Sequence, residues 1–278
     1  IAARRSRSLP AAPPMFPSLP TAALPAALVV AFAPPLAAQV WSQTPVPSAP
    51  SPVARQLHGA AYDLARSRLV LFGGETATTA IQMLNDTWEF DGRAWTQLQP
   101  ATAPGVRWGH GMTYDLARGR VVMFGGCVGT ASGAAVLDDT WEWDGAAWTQ
   151  MPLSTHPSAR TAVGMVYDPV QARTLLLGGR TNTPQAIVYF ADLWSYGGGT
   201  WTQLPATGPS GRCAMGLAMD PVRAELVMFG GVNTATRGDT WTWDGTNWTQ
   251  RVVTGPTARW GSRMLFDPVA QRVLMQGG

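Results

Sequence analysis

Hydrophobic and polar positions along the chain follow short strand-like patterns that recur with a period of about fifty residues. In the second repeat, the strand-like residues 120–124 contain a continuous apolar stretch at 121–124, which is typical of a strand buried on both faces. Residues 139–143 instead alternate between apolar and polar positions, as a half-exposed strand does. Two further strand-like stretches stand before and after these two, at residues 110–114 and 147–151. The pattern therefore predicts four strands per repeat, named A to D in chain order.

Turn residues and short motifs separate the predicted strands. Asp144-Gly145 lies between strands C and D and favours a tight hairpin, because both residues tolerate a positive φ. Strand B runs into a glycine pair in each repeat, at 73–74, 125–126, 178–179, 230–231 and 277–278. Strand C carries an Asp-x-Trp motif at Asp86, Asp139, Asp192 and Asp239, and strand D carries Trp-Thr-Gln at Trp95, Trp148, Trp201 and Trp248. We expect these tryptophans to pack the core, because one buried tryptophan covers about 150 to 250 Å².

The repeat predicts the fold class. Four antiparallel strands repeated around an axis form a β-propeller, whose blades bury their faces against one another. The apolar stretch, the glycine pair and the spaced aromatic residues resemble the kelch repeat over residues 55–278. The resemblance implies that strand A is innermost, and small residues such as Gly111 in that strand agree with crowding at the axis. The chain is thus predicted to be an all-β, kelch-type β-propeller of four-stranded antiparallel blades.

The repeats also set the predicted domain boundaries. The propeller occupies residues 39–278, with four full repeats starting near residues 55, 107, 160 and 212 and a partial fifth repeat from residue 259. Val40-Trp41-Ser42-Gln43 resembles an isolated strand D that belongs to the last blade. Because kelch propellers usually have six or seven blades, we expect an incomplete fragment of a larger ring. A five-bladed ring is the alternative.

Residues 1–38 differ in composition from the repeats. A basic segment at residues 4–7 precedes a short apolar run at residues 24–33, and small residues follow up to Ala38. This order is typical of a secretory signal peptide with cleavage near Ala38, and a disordered Ala/Pro-rich leader is the alternative. The apolar run is shorter than the ~20 residues that span a bilayer, so no membrane span is predicted. A signal peptide predicts a secreted protein, or one of the periplasm or cell envelope.

The charge balance argues against a nucleic-acid partner. The net charge of +3 arises in the basic segment, since the first 38 residues contain no acid and the other arginines balance the 17 acidic residues. Those arginines are scattered, whereas phosphate binding needs a concentrated basic face.

Cys127 and Cys213 lie at different places in different repeats, so we expect two free thiols. The sequence contains no recognisable catalytic, metal-binding or cofactor-binding motif.

One face of the propeller carries the variable loops. Antiparallel strands place the B–C and D–A connections on the same face, and the B–C loops differ in length. Just before strand A, this face carries a ring of arginines at Arg55, Arg107, Arg160, Arg212 and Arg259. One interpretation is an anion-binding mouth of the central channel, since arginines at equivalent positions of kelch adaptors contact acidic peptides. The interpretation we favour is an inter-blade clamp to the strand C aspartates, because both series occur in successive repeats.

Further candidate residues break the repeat on this face. They are His58, His110, Trp108, Trp260, Glu75 and Arg180. The two histidines and two tryptophans suggest a local patch of imidazole and aromatic groups, although histidines without a nearby carboxylate motif are more often structural than metal ligands. The remaining two residues are candidates for acid–base chemistry at the channel mouth.

The sequence supports two main hypotheses of function. The favoured one is an exported, non-enzymatic propeller whose B–C and D–A face binds a protein or a carbohydrate through these candidate residues. The alternative is a sugar-active enzyme with its site at the channel mouth, similar to the sialic acid mutarotases or the galactose oxidase-like propellers. The copper site of the oxidases needs a set of Tyr, Cys and His that is not recognisable here, so no metal or cofactor is predicted. A structural module of a larger envelope protein is a third possibility.

Overall fold

A computed structural model of the protein describes residues 50–76, 80–129, 135–182, 186–205 and 207–278. The predicted leader at 1–38 and the predicted strand at 40–43 lie outside these residues. All described strands belong to one compact unit, Val46–Gly278. Within the described ranges, no helix is long and apolar enough to cross a membrane.

The strands follow the predicted repeat. The first repeat contains β1 (Arg55–Gln56), β2 (Gly59–Asp63), β3 (Arg68–Thr76), β4 (Met83–Phe90) and β5 (Trp95–Leu98). The second contains β6 (Gly111–Asp115), β7 (Arg120–Val128), β8 (Ala135–Trp143) and β9 (Trp148–Met151). The third contains β10 (Gly164–Asp168), β11 (Arg173–Leu177), β12 (Arg180–Asn182), β13 (Ile187–Tyr189), β14 (Leu193–Gly197) and β15 (Thr200–Leu204). The fourth and fifth contain β16 (Gly216–Asp220), β17 (Glu225–Phe229), β18 (Thr240–Trp243), β19 (Trp248–Arg251), β20 (Arg263–Asp267) and β21 (Arg272–Gln276).

Each of the first four repeats forms one antiparallel blade. Strands A to D pair in chain order as β2-β3-β4-β5, β6-β7-β8-β9, β10-β11-β14-β15 and β16-β17-β18-β19, and β20 pairs with β21. The A strands of successive repeats contact one another from β2 through β6, β10 and β16 to β20. This arrangement confirms the prediction of an all-β, kelch-type propeller with strand A innermost. No strand pairing closes the sheets into a ring among the described residues.

The core forms between successive blades. Strand B of the second repeat is fully buried from Val121 to Phe124, as its continuous apolar run predicted. The Trp148 ring meets the Phe72 ring of the first repeat edge to face, with centroids 5.2 Å apart. The indole nitrogen of Trp148 also donates to the Thr87 hydroxyl across the same interface, at 3.0 Å. The prediction that the repeated tryptophans pack the core is therefore confirmed at this interface.

Glycines at the start of strand A leave room for the next blade. A Cβ on Gly111 would lie 2.3 Å from the sulfur of Met165 and 2.6 Å from the side chain of Val163, both in the third repeat. Because such distances are far below van der Waals contact, any larger residue would force these side chains or the blades themselves to shift. The small residues noted in strand A thus follow from close packing between neighbouring blades.

Two details of the blades differ from the prediction. Strand B was expected to end at the glycine pair, but β3 and β7 continue past it. The pairing register shifts there, between Phe72 and Gly74 and between Phe124 and Gly126. Glycines with positive φ allow this bulge, so the strand bends and then continues to pair. In the third repeat, β12 and β13 form a separate hairpin instead.

Candidate functional site

A common backbone frame holds the B–C and D–A face. In each of the first four repeats, the residue after the ring arginine pairs with the residue after the glycine pair. We call these the bridge positions; the pairs are Gln56 with Glu75, Trp108 with Cys127, Thr161 with Arg180, and Cys213 with Val232. In the second to fourth repeats, two backbone hydrogen bonds of 2.9 to 3.1 Å fix each pair. The frame is therefore constant while its side chains vary.

The ring arginines of the first four repeats bind the strand C aspartates. Arg107 donates to both carboxylate oxygens of Asp139 at 2.7 and 2.8 Å, and to the Gly125 carbonyl at 3.0 Å. Burial alone would raise the pKa of Asp139, but hydrogen bonds from Arg107 and Trp141 outweigh it and hold the pKa below its usual value. The same bidentate pairs form at Arg55–Asp86, Arg160–Asp192 and Arg212–Asp239.

The favoured clamp interpretation needs one correction. Each arginine–aspartate pair joins two residues of the same repeat, so the charge pair does not itself connect two blades. The backbone of Arg107 makes that connection: its N–H donates to Leu84 O at 3.2 Å, and its carbonyl accepts from Gly74 N at 2.9 Å. One arginine thus holds its own blade through its side chain and the preceding blade through its backbone. Arg259 donates from Nη1 to the Gly277 carbonyl at 3.2 Å.

His110 is buried between the first two blades. A Cβ on Gly59 would lie 2.4 Å from its Nε2, and its ring meets Phe72 edge to face at 5.7 Å. Neither ring nitrogen has a hydrogen-bond partner among the described residues. Burial, followed by the nearby Arg107 cation, lowers its pKa to about 3, and burial also lowers the pKa of His58. Both imidazoles are therefore neutral at neutral pH.

The other members of the predicted patch, Trp108 and Trp260, are more exposed than His110. Trp108 is half-buried, and its indole nitrogen donates to the Gly129 carbonyl of its own B–C loop at 3.1 Å. Trp260 is 55% exposed. The structure brings His58 and His110 to one cavity, and neither tryptophan lines it.

Glu75 and Arg180 occupy the same bridge position in the first and third repeats, with Cys127 at that position in the repeat between them. Glu75 is buried and accepts a hydrogen bond of 2.8 Å from Gln56. Arg180 is half-buried, and its guanidinium has no hydrogen bond or ion pair within the described part of the chain. Burial raises the pKa of the Cys127 and Cys213 thiols, and the Arg180 cation opposes that rise in both. Both cysteines are free, as predicted.

A cavity of about 430 Å³ lies along the axis and is lined from strand A of all five repeats. Its wall includes His58 and His110, which the sequence singled out, and Arg263, which it did not. The only hint of Arg263 in the sequence was its place in the fifth strand A. No group of three or more His, Cys, Asp or Glu side chains in the described residues is arranged to hold a metal ion.

A chain of backbone hydrogen bonds runs along the mouth of this channel from the first repeat to the fifth. The residue two positions after each ring arginine has a positive φ; these residues, the mouth ring, are Leu57, Gly109, Ala162, Ala214 and Gly261. From the second repeat to the fifth, the N–H of the mouth-ring residue donates to the mouth-ring carbonyl of the preceding repeat at 2.7 to 2.9 Å. No feature of the sequence indicated this ring, because leucine and alanine rarely adopt a positive φ.

Comparisons with known proteins agree with the fold. A family model described as the KLHDC2/KLHL20/DRC7 Kelch-repeats domain matches residues 30–231. Comparison with curated proteins gives no match. Kelch domains mediate protein interactions, which fits a rigid frame with variable loops. From the repeated blades and this match, we conclude that the chain belongs to the kelch-repeat family.

Proposed function

We propose that the chain is an exported kelch propeller that binds a protein or glycan partner on its B–C and D–A face. The bridge positions carry this proposal. Their backbones are held alike from repeat to repeat, yet their side chains are Gln and Glu, Trp and Cys, Thr and Arg, or Cys and Val. Rigid scaffolds commonly present recognition residues in this way.

Arg180 supplies the anchoring charge of the proposed face. The ring arginines of the first four repeats already bind aspartates, whereas the Arg180 guanidinium has no partner among the described residues. A free guanidinium on a half-buried site binds carboxylates in bidentate geometry. The proposed partner therefore carries an acidic group, as an acidic peptide segment or an acidic sugar.

The test uses the purified full chain against arrays of envelope proteins and of glycans. Arg180→Ala is expected to weaken binding by about tenfold or more, since a charged hydrogen bond is lost. Arg93→Ala is the matched control, because Arg93 is exposed in the C–D turn on the opposite face. Equal binding by the Arg180 variant and the unaltered protein would place the partner elsewhere. Turnover of a sugar without binding to either array would favour the enzyme hypothesis.

Export is tested by the mass of the protein recovered outside the cytoplasm. A mature chain beginning near Gln39 is the expected result, because the leader resembles a cleaved signal peptide. An uncleaved protein retained in the cytoplasm would contradict export and leave the binding test unaffected.

A further inference from the structure

The channel cavity contains polar atoms without partners. His110 Nδ1 and Nε2, Ser262 Oγ and His58 Nδ1 are buried and make no hydrogen bond among the described residues. The exposed fraction is 7% for His110 and 2% for Ser262, and both line the cavity. Burial of an unsatisfied polar group costs stability, so such groups call for an explanation.

Packing between the blades does not require these polar groups. The positions equivalent to His110 in the third and fourth repeats hold Val163 and Met215, and they line the same cavity. Apolar side chains therefore fill this place in the same fold. The polar groups of the first, second and fifth repeats line one cavity.

The cavity also has an unbalanced positive charge. None of its described lining residues is acidic, while Arg263 lines it with no hydrogen bond or ion pair in the described chain. Burial lowers the pKa values of both His58 and His110, and the Arg263 cation adds a smaller lowering effect, which at His110 comes after those of Arg107 and His58. Its charge therefore acts on both imidazoles. The rest of the wall is mainly apolar, with four methionine side chains: Met112, Met165, Met215 and Met264.

We propose that this channel binds a small organic anion, with its charged group near Arg263, His58, His110 and Ser262 and its apolar body against the methionines. The cation attracts the anion, and the unpartnered imidazole and hydroxyl groups complete its hydrogen bonds. This site is separate from the proposed partner-binding face and does not depend on it.

An anion in the channel changes the protonation of the histidines. Arg263 and Arg55 face His58, while Arg107, Arg263 and Asp139 face His110 together with His58. A nearby anion offsets the arginine charges and favours the imidazolium form, so binding takes up protons. His58 is the less buried of the two and gains a proton more readily. Affinity is therefore expected to increase as pH falls from about 8 to about 6.

Calorimetric titration of the full chain with hexanoate and phenylacetate tests the proposal, with hexanamide and phenylacetamide as neutral controls. We expect the carboxylates to bind about tenfold more tightly than the amides. Buffers of different ionisation enthalpy report the proton uptake. Equal affinity for carboxylate and amide, or the absence of binding by both carboxylates at millimolar concentration, would overturn the proposal.

Three variants link the binding to the named residues. Arg263→Gln is expected to remove the preference for carboxylates, whereas Arg272→Gln, at an exposed arginine of β21, is expected to retain it. His110→Met introduces the residue type that the fourth repeat has at the equivalent position, Met215. We expect this variant to bind the carboxylates more weakly without loss of thermal stability. Carboxylate binding that is unchanged in Arg263→Gln or His110→Met would refute the assignment. Arg180→Ala is expected to leave carboxylate binding unchanged, which separates this site from the partner face.

Discussion

Arg160 offers a direct test of whether the arginine ring is structural. Its side chain is fully buried and binds the Asp192 oxygens at 2.5 and 2.9 Å. It also donates to the Gly178 carbonyl at 3.2 Å and lies 3.8 Å over the ring of Phe190. Arg160→Ala would leave a carboxylate without its cation and a buried carbonyl without its donor. The substitution should therefore destabilise the third blade.

The expected loss of stability follows from the burial of the pair. Removing one partner of a buried ion pair costs about 3 to 5 kcal/mol. The Asp192 side chain is 20% exposed, so water can reach part of it and we expect the lower end, about 3 kcal/mol. Arg120→Ala is the control: its pair with Asp144 spans 3.1 Å between side chains that are 41% and 38% exposed. Such a surface pair contributes less than about 1 kcal/mol.

Urea unfolding followed by tryptophan fluorescence measures both variants. A lower midpoint with an unchanged slope reports lost stability. Arg160→Met combined with Asp192→Leu removes both charges, so it should recover part of the stability that the single variant loses. If Arg160→Ala destabilises the protein no more than the control does, the pair is not structural. The anion-binding interpretation of the ring would then be favoured.

Two further predictions concern the same blades. Thr140→Val leaves the buried indole nitrogen of Trp201 without its 2.9 Å hydrogen bond and should cost about 1 to 3 kcal/mol by urea unfolding; an unchanged midpoint would contradict this reasoning. The strand C aspartates have lowered pKa values, because hydrogen bonds from arginine and tryptophan outweigh the opposing effect of burial. Their contribution to stability is full above the unfolded value near 3.9 and is lost as pH falls through the folded values, so the urea midpoint should drop below about pH 4. A midpoint that stays constant between about pH 6 and pH 3 would show that these pairs do not couple to folding.

Local pattern predicted the blades because each strand is encoded within a few residues. The continuous apolar run at Val121 to Phe124 predicted burial on two faces, and the structure shows it. The alternation at residues 139–143 predicted burial on one face only, but Thr140 and Trp141, which point to opposite faces, are both buried. The pairing of arginines with aspartates also followed from their shared recurrence. The prediction that each pair connects two blades was wrong, because sequence spacing does not show which blade an arginine side chain enters.

The features that the sequence missed depend on contacts between distant repeats. His110 was expected to be a structural, hydrogen-bonded histidine, but its ring contacts Phe72 and Gly59 of the preceding blade and has no hydrogen-bond partner among the described residues. Arg263 was not singled out, since its place in the channel depends on the path of five successive blades. The positive φ of Ala162 and Ala214 is set by hydrogen bonds across the mouth ring, against the ordinary preference of alanine.

The mouth ring has a direction, since every donor N–H belongs to the later repeat and every acceptor carbonyl to the earlier one. A repeat that emerges from the ribosome therefore meets a folded template whose acceptors are already displayed. Each docking step closes a loop of one repeat only, which keeps its entropic cost small and suits vectorial folding during synthesis. The same polarity means that a duplicated repeat brings its own donor and offers its own acceptor, so the gene can lengthen without redesign of the neighbouring blades.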